Sequence, residues 1–322
     1  MQERKTRMNI IDFHCDTLTM LKPEKESFEK NAHMVDLERL EKAGVRVQCC
    51  AAFVPTGMFP AESREQKSME EFLRVHHVWQ DVLDQYPDRL LPVRSREELE
   101  RCFQEEKTGL LLTIEDGGVC GSNLENVKKV FELGVRLITL TWNYENAFGF
   151  PNGKDGGLKP LGIEAVQEMN RLGILVDVSH LSDDGFWDVQ KYSKKPFVAS
   201  HSNARAVTGH PRNLTDEMIR AVAESGGIIG LNFAPDFLGE GGVSRVSNMV
   251  RHVLHIREKG GSGVLALGSD FDGIGGTLEI GGPDQFVLLW EALRKAGMSE
   301  TELEGMWYGN GARVLREVLP CR

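Results

Sequence analysis

No Cys-x-x-Cys pair occurs among the six cysteines, Cys15, Cys49, Cys50, Cys102, Cys120 and Cys321. A zinc knuckle and a thiol redox motif are thereby excluded, and free, mostly buried thiols are expected. No apolar run approaches the roughly 20 residues a helix needs to cross a bilayer, so no membrane partner is expected. No basic run stands out either: 48 acidic against 38 basic residues leave a formal charge of −10. Nucleic acid therefore lacks an electrostatic footprint to bind. There is no Walker loop, no Gly-x-Ser-x-Gly elbow and no Gly-x-Gly-x-x-Gly after a strand, which counts against nucleotide and serine-nucleophile chemistry. The start is charged and polar, and the apolar stretch after it is broken by Asp12, His14 and Asp16. That pattern reads as neither leader nor anchor, and the expectation is a soluble, cytoplasmic protein.

What the sequence does have is regular alternation. Short β-branched runs at 9–13, 45–54, 109–115, 137–140, 174–178, 197–200, 228–232 and 264–268 alternate with longer helical patterns. The helices are expected over 63–85, 95–106, 123–133, 162–172, 183–192, 215–225 and 246–259. Ser182 and Thr215 supply N-caps, and Ser299 with Glu302 has capping-box spacing. Eight strands in βα order predict an α/β fold, a (β/α)8 TIM barrel spanning 1–322 as one catalytic domain. Two closing helices are expected over 283–296 and 299–318, and 273–282 reads as a long Gly-rich loop.

Acidic and imidazole side chains stand at the end of one apolar strand after another: His14 and Asp16, Glu115, His180, His201 and Asp270. In a barrel those ends meet at one face, where active sites are built. His14-x-Asp16 supplies imidazole nitrogen and carboxylate oxygen from one side of a strand, a donor pair suited to zinc. The same alternation points Cys15 away from both. Glu115 closes an otherwise apolar run, and a carboxylate there must be paired, hydrogen-bonded or metal-bound to offset desolvation. Neighbouring Asp116 is its rival, although the Gly117-Gly118 turn that follows favours Glu115. His180 and His201 are 21 residues apart, one strand–helix–strand repeat. Asp270 belongs to the last strand, beside the first once the barrel closes, and is a candidate for general base or extra ligand. Asp272 is its rival, but Gly273 marks it as a turn residue.

The remaining histidines have a weaker claim. His76 and His77 lie on a predicted helix, and His252 and His255 share a face of an outer one. His33 and His210 are assigned to loops, His210 being close to Arg212.

Six motifs occur in order: Asp12-Phe-His14-Cys-Asp16, Thr113-Ile-Glu115-Asp-Gly, Asp177-Val-Ser-His180, Ser200-His201-Ser-Asn-Ala-Arg205, His210-Pro-Arg212-Asn213 and Gly268-Ser-Asp270-Phe-Asp-Gly273. Together they resemble the membrane (renal) dipeptidase family of zinc peptidases, in its bacterial type, from about residue 9 to residue 315. The resemblance implies a dipeptidase with two Zn2+ per subunit. One ion would be held by His14, Asp16 and Glu115, and the other by Glu115, His180 and His201. It makes Asp270 the group that holds and deprotonates the attacking water and Arg212 the partner of the substrate's C-terminal carboxylate. The expected partner is a small dipeptide, with a C-terminal D-residue as an option, and a homodimer is compatible with such a barrel. One position departs. Mammalian members carry a substrate-contacting histidine after Leu-Thr of the fourth strand, where this chain has Trp142 after Leu140-Thr141. Trp142 and Asn143 become the candidate substrate contacts, and the segment 143–146 is where a substitute donor is expected. The same departure keeps open a second reading, hydrolysis of another small amide, an N-acyl amino acid or a lactone, and a third, a barrel that binds metal without turnover.

Overall fold

The eight apolar runs become eight parallel strands in a computed structural model that describes residues 9–239 and 241–321. The charged start, 1–8, lies outside the described residues. In chain order the strands are β1 (Ile10–Cys15), β2 (Val45–Phe53), β3 (Thr108–Glu115), β4 (Leu137–Thr139), β5 (Leu175–Asp177), β6 (Phe197–Val198), β7 (Ile229–Leu231) and β8 (Leu265–Leu267). Each pairs with its sequence neighbour, and β8 pairs with β1 through Asp12 and Leu267. The seam between β6 and β7 is closed by a single bridge, Ala199 to Ile229. Two glycines make that seam tight. A Cβ on Gly230 or Gly268 would fall 1.9 Å from the Ser200 carbonyl oxygen.

Alternation along the strands sorts side chains into two layers. Leu110, Leu112, Ile114, Ile138 and Val176 pack against the helical ring. Ile11, Phe13, Val47, Leu111, Leu137, Leu175 and Val198 fill the barrel itself. At the end away from the site, Ala312, Val314, Leu315, Val318 and Leu319 join this inner cluster, so the last helix plugs the barrel. The plug is fitted closely: a Cβ on Gly311 would meet the Phe13 ring at 2.6 Å. Asn310 ties it down, its Nδ2 donating to the carbonyls of Ser262 and Leu265 at 2.8 and 2.9 Å.

Several expectations are corrected. The strand expected over 9–13 runs on to Cys15, which puts His14 inside it. A short strand, Leu90–Pro92, adds itself to β3 outside the barrel order. The stretch 273–282 is not all loop, because Thr277–Leu278 pairs in parallel with Val243–Ser244. A helix that the hydrophobic pattern did not announce, Leu37–Ala43, is capped by the Asp36 carboxylate and ended by Gly44 at φ 87°. The helix expected over 299–318 runs without a break in helical residues from 300 to 318 but changes its winding. A π-turn over Gly305–Gly309 separates Glu300–Glu304 from Asn310–Val318. Among the described residues no helix is long and apolar enough to cross a membrane.

Candidate metal centre

The strand ends bring the sequence-selected residues to one buried point. His14 belongs to β1, Asp16 follows it by one residue, and Glu115 is the last residue of β3. His180, His201 and Asp270 each lie three residues beyond β5, β6 and β8. All six are buried. His14 Nε2 stands 3.4 Å from Asp16 Oδ2, 3.4 Å from Glu115 Oε2 and 3.7 Å from Asp270 Oδ1. The other oxygen of Glu115, Oε1, faces His180 Nε2 at 3.0 Å and His201 Nε2 at 3.7 Å. One carboxylate thus shows each of its oxygens to a different set of nitrogens. Ligand atoms around a tetrahedral zinc at its usual bond lengths sit roughly 3.3 Å apart, and these separations bracket that value.

The histidine tautomers fit the same reading. His180 Nδ1 lies 2.9 Å from Asn143 Oδ1, an acceptor, so Nδ1 carries the proton. His201 Nδ1 lies 2.7 Å from Ser200 Oγ, whose own hydrogen goes to Asp177 at 2.6 Å. Both Nε2 atoms are therefore bare, and they approach to 3.1 Å. Two lone pairs facing at that distance repel unless a cation lies between them and the neighbouring carboxylate. His14 is the more exposed case electrostatically, since neither ring nitrogen has a hydrogen-bond partner among the described residues.

Charge points the same way. Burial pushes Asp270 up to about 7, with Asp16 and Glu115 adding to the rise against the pull of His14. Burial and the Glu115 charge raise Asp16 to about 6. Burial alone would lower His14, but Glu115 and Asp16 outweigh it and hold the ring well above its ordinary value. Burial and Arg212 depress His180 to about 4, and burial with His14 and Arg212 takes His201 well below its usual range. Three crowded carboxylates and two imidazoles kept neutral form a donor set suited to divalent cations, whose charge would reverse these proton preferences.

Among the described residues, four of the five non-glycine positions with positive φ cluster here: Asp116, His180, Asp270 and Asp272. Strained backbone of this kind is held only where the surroundings over-determine it. The two rival acids are occupied elsewhere. Asp116 accepts from Thr56, Gly118 and Asn146, and Asp272 accepts from Thr17 Oγ1 and the Met34 N–H. Five other histidines have local partners, for example His252 between the Ala204 N–H and the Leu238 carbonyl, and His255 on Asp216, while His77 is exposed.

Above the centre opens a cleft of about 650 Å³. Asp16, Glu115, His180 and Asp270 lie at its floor, and Met20, Phe53, Trp142, Pro235, Phe237 and Ile274 are among the apolar residues that line it. Trp142 packs edge-on to Phe53, ring centres 4.8 Å apart. Asn143 also borders the cleft, but its carbonyl is spent on His180, a role that sequence reasoning missed. Asn146 is consumed by Asp116 and the Leu140 carbonyl, which removes it as a substrate donor. Arg212 lies beside the floor, donating to Ser202 Oγ and the His201 carbonyl at 3.0 and 3.1 Å. Asn232, which the sequence did not single out, donates to Asp270 Oδ2 at 2.8 Å.

Comparison with known proteins gives a consistent set. The model of the membrane dipeptidase family, peptidase family M19, matches residues 1–321. The chain is similar to a crystal structure of dipeptidase AC, a metallopeptidase of family M19, with 27% identity and a TM-score of 0.89 over 97% of this chain and 99% of that one. A metallopeptidase from Rhodobacter sphaeroides, liganded with a phosphinate mimic of the dipeptide L-Ala-D-Ala, matches at 26% identity and a TM-score of 0.89, again over 97% and 99%. A Klebsiella pneumoniae protein named for its place in the pqqA 5′ region is 35% identical over 242 residues, 71% of this chain and 89% of that protein.

Proposed function

Because the chain belongs to the membrane dipeptidase family, peptidase family M19, and is a metallo-dipeptidase by that membership, we propose that it works with two zinc ions at the barrel mouth. The observation that carries this is the division of Glu115, Oε2 toward His14 and Oε1 toward His180 and His201. His14, Asp16 and Glu115 would hold one ion, and Glu115, His180 and His201 the other. Ions held so supply Lewis acidity and make water a nucleophile near neutral pH. The chain does the rest. Asp270, held by Asn232 at one oxygen and free at the other to face the floor, takes the proton released by the attacking water. Arg212 receives the carboxylate at the substrate's C-terminal end, its planar fork matching two oxygens. Phe53, Trp142 and Phe237 enclose the two side chains and keep water out.

A cleft of this size, with a cationic group beside its floor, fits a dipeptide better than a longer chain. The Rhodobacter sphaeroides neighbour binds a mimic with a C-terminal D-residue, which supports acceptance of such dipeptides here. The six free thiols, five of them buried, suit a reducing compartment, and the cytoplasm is the proposed setting.

Elemental analysis of purified protein, run with a panel of L-L and L-D dipeptides, lactones and N-acyl amino acids, tests metal count and reaction class together. Glu115→Gln is expected to lose metal and at least roughly 10²-fold in dipeptide turnover. Full activity with both ions retained would sink the bridging assignment.

A further inference from the structure

Beneath the centre lie two buried carboxylates that touch no proposed ion, and they are built alike. Asp12 on β1 accepts the N–H and Oγ–H of Ser269 at 2.8 and 2.6 Å, and Gln48 Nε2 at 3.0 Å. Asp177, the last residue of β5, accepts the N–H and Oγ–H of Ser200 at 2.8 and 2.6 Å. It also takes the Ser179 N–H at 3.0 Å and Thr139 Oγ1 at 2.6 Å. Each serine directly precedes a site residue, Asp270 in one case and His201 in the other. The likeness ends at the imidazole. Ser200 Oγ reaches His201 Nδ1, whereas Ser269 Oγ meets backbone, the His14 carbonyl at 3.2 Å and the Phe271 N–H at 3.3 Å.

A serine hydroxyl has one hydrogen to give. Ser200 gives it to Asp177, because a carboxylate surrounded by four donors can only accept, and the 3.3 Å contact with Ser179 Oγ competes poorly with one at 2.6 Å. Ser200 Oγ must then accept from His201 Nδ1, which leaves the lone pair on Nε2, the atom aimed at Glu115 and His180. We infer that Asp177 is a positioning residue that fixes the proton of His201 through Ser200, and that the hold on one metal ion depends on this relay. The inference rests on the two-ion reading above and adds a residue to it that contacts neither metal nor substrate.

Asp177→Asn separates the relay from simple structural support. The amide is nearly isosteric, and its oxygen must stay with the Ser179 and Ser200 N–H groups, since the reverse orientation would set donors against donors. Its nitrogen then occupies the place of Oδ2 and donates to the hydroxyls of Ser200 and Thr139. Ser200 accepts there and sends its hydrogen to His201 Nδ1, so the ring proton moves to Nε2. Shape is preserved while the polarity of the chain is reversed, which takes away the metal-binding lone pair.

The full chain, stripped of metal, is titrated with zinc against a chromophoric chelator, and its metal-free melting temperature is recorded alongside. Wild type is expected to load two ions. Asp177→Asn is expected to melt close to wild type yet bind one ion about 100-fold more weakly, the upper end of effects from outer-shell partners. Ser200→Ala should lose about 10-fold, Ser200→Thr should restore the affinity, and Ser269→Ala, which removes the matching hydroxyl from Asp12, should lose less than Ser200→Ala. In metal-free protein labelled at histidine nitrogen, His201 should be protonated at Nδ1 in wild type and at Nε2 in Asp177→Asn. Two ions bound with wild-type affinity by both Asp177→Asn and Ser200→Ala would overturn the relay while leaving the two-ion reading intact. If Asp177→Asn does not fold, undiminished affinity in Ser200→Ala overturns it alone. A wild-type chain that binds no zinc overturns both.

Discussion

At Arg212 a guanidinium is buried with its Nε lacking any hydrogen-bond partner among the described residues. Burial lowers its pKa to about 10, which still leaves it charged at neutral pH. A buried cation with spare N–H groups is costly to maintain, and a carboxylate arriving from the cleft would offset that cost. Replacing it with alanine should therefore reduce kcat/KM for a dipeptide by the value of a charged hydrogen bond, about 1.5–3 kcal/mol or roughly 10- to 150-fold. The same substitution should cost far less on the corresponding dipeptide amide, which offers no anion. Equal losses on the two substrates would show that Arg212 does not read the carboxylate. Trp142 lines the cleft and supplies no charge, only an aromatic ring braced by Phe53.

The helices follow signals that are local. Ser299 accepts from the Glu302 N–H while Glu302 accepts from the Ser299 N–H, a complete capping box at the start of Glu300–Glu304. Ser299→Ala should cost about 1 kcal/mol, seen as a melting temperature lower by roughly 1–2 °C for a chain of this size, with metal content unchanged. Caps and strands of this sort could be read from residues because their causes sit within a few positions of one another. So could the residues that gather at the candidate metal centre, since an acid or imidazole closing an apolar run needs a partner wherever the chain goes. Other features depend on contacts between distant segments. Leu37–Ala43 carries few apolar positions and is held by its cap and by Gly44. The pairing of Thr277–Leu278 with Val243–Ser244 joins two loops with no hydrophobic alternation to announce it. The work of Asn143 appears only when its loop meets His180, 37 positions away. Asp177 could be seen as an acid within an apolar strand, but its four donors arrive from three different strand ends.

Across the whole molecule the two ends of the barrel have separate duties, chemistry at one and closure at the other. The closing helix contributes Val314, Leu315, Val318 and Leu319 to the inner cluster. At about 1.5–3 kcal/mol for each large apolar side chain buried, those four are worth on the order of 6–12 kcal/mol, comparable to the entire stability of a typical domain. A chain stopped at Gly309 is therefore expected to yield no soluble folded protein, and a sharp cooperative melt from that truncation would show the plug to be dispensable. The plug is also made after every strand of the barrel. While a ribosome is still adding residues 310–319, every proposed metal ligand has already been synthesised, yet the lower barrel remains open and its inner side chains unsealed. Folding of the barrel therefore cannot be completed from its early strands alone: the strands that carry the site gain their full packing only when a segment synthesised after them returns to the opposite mouth.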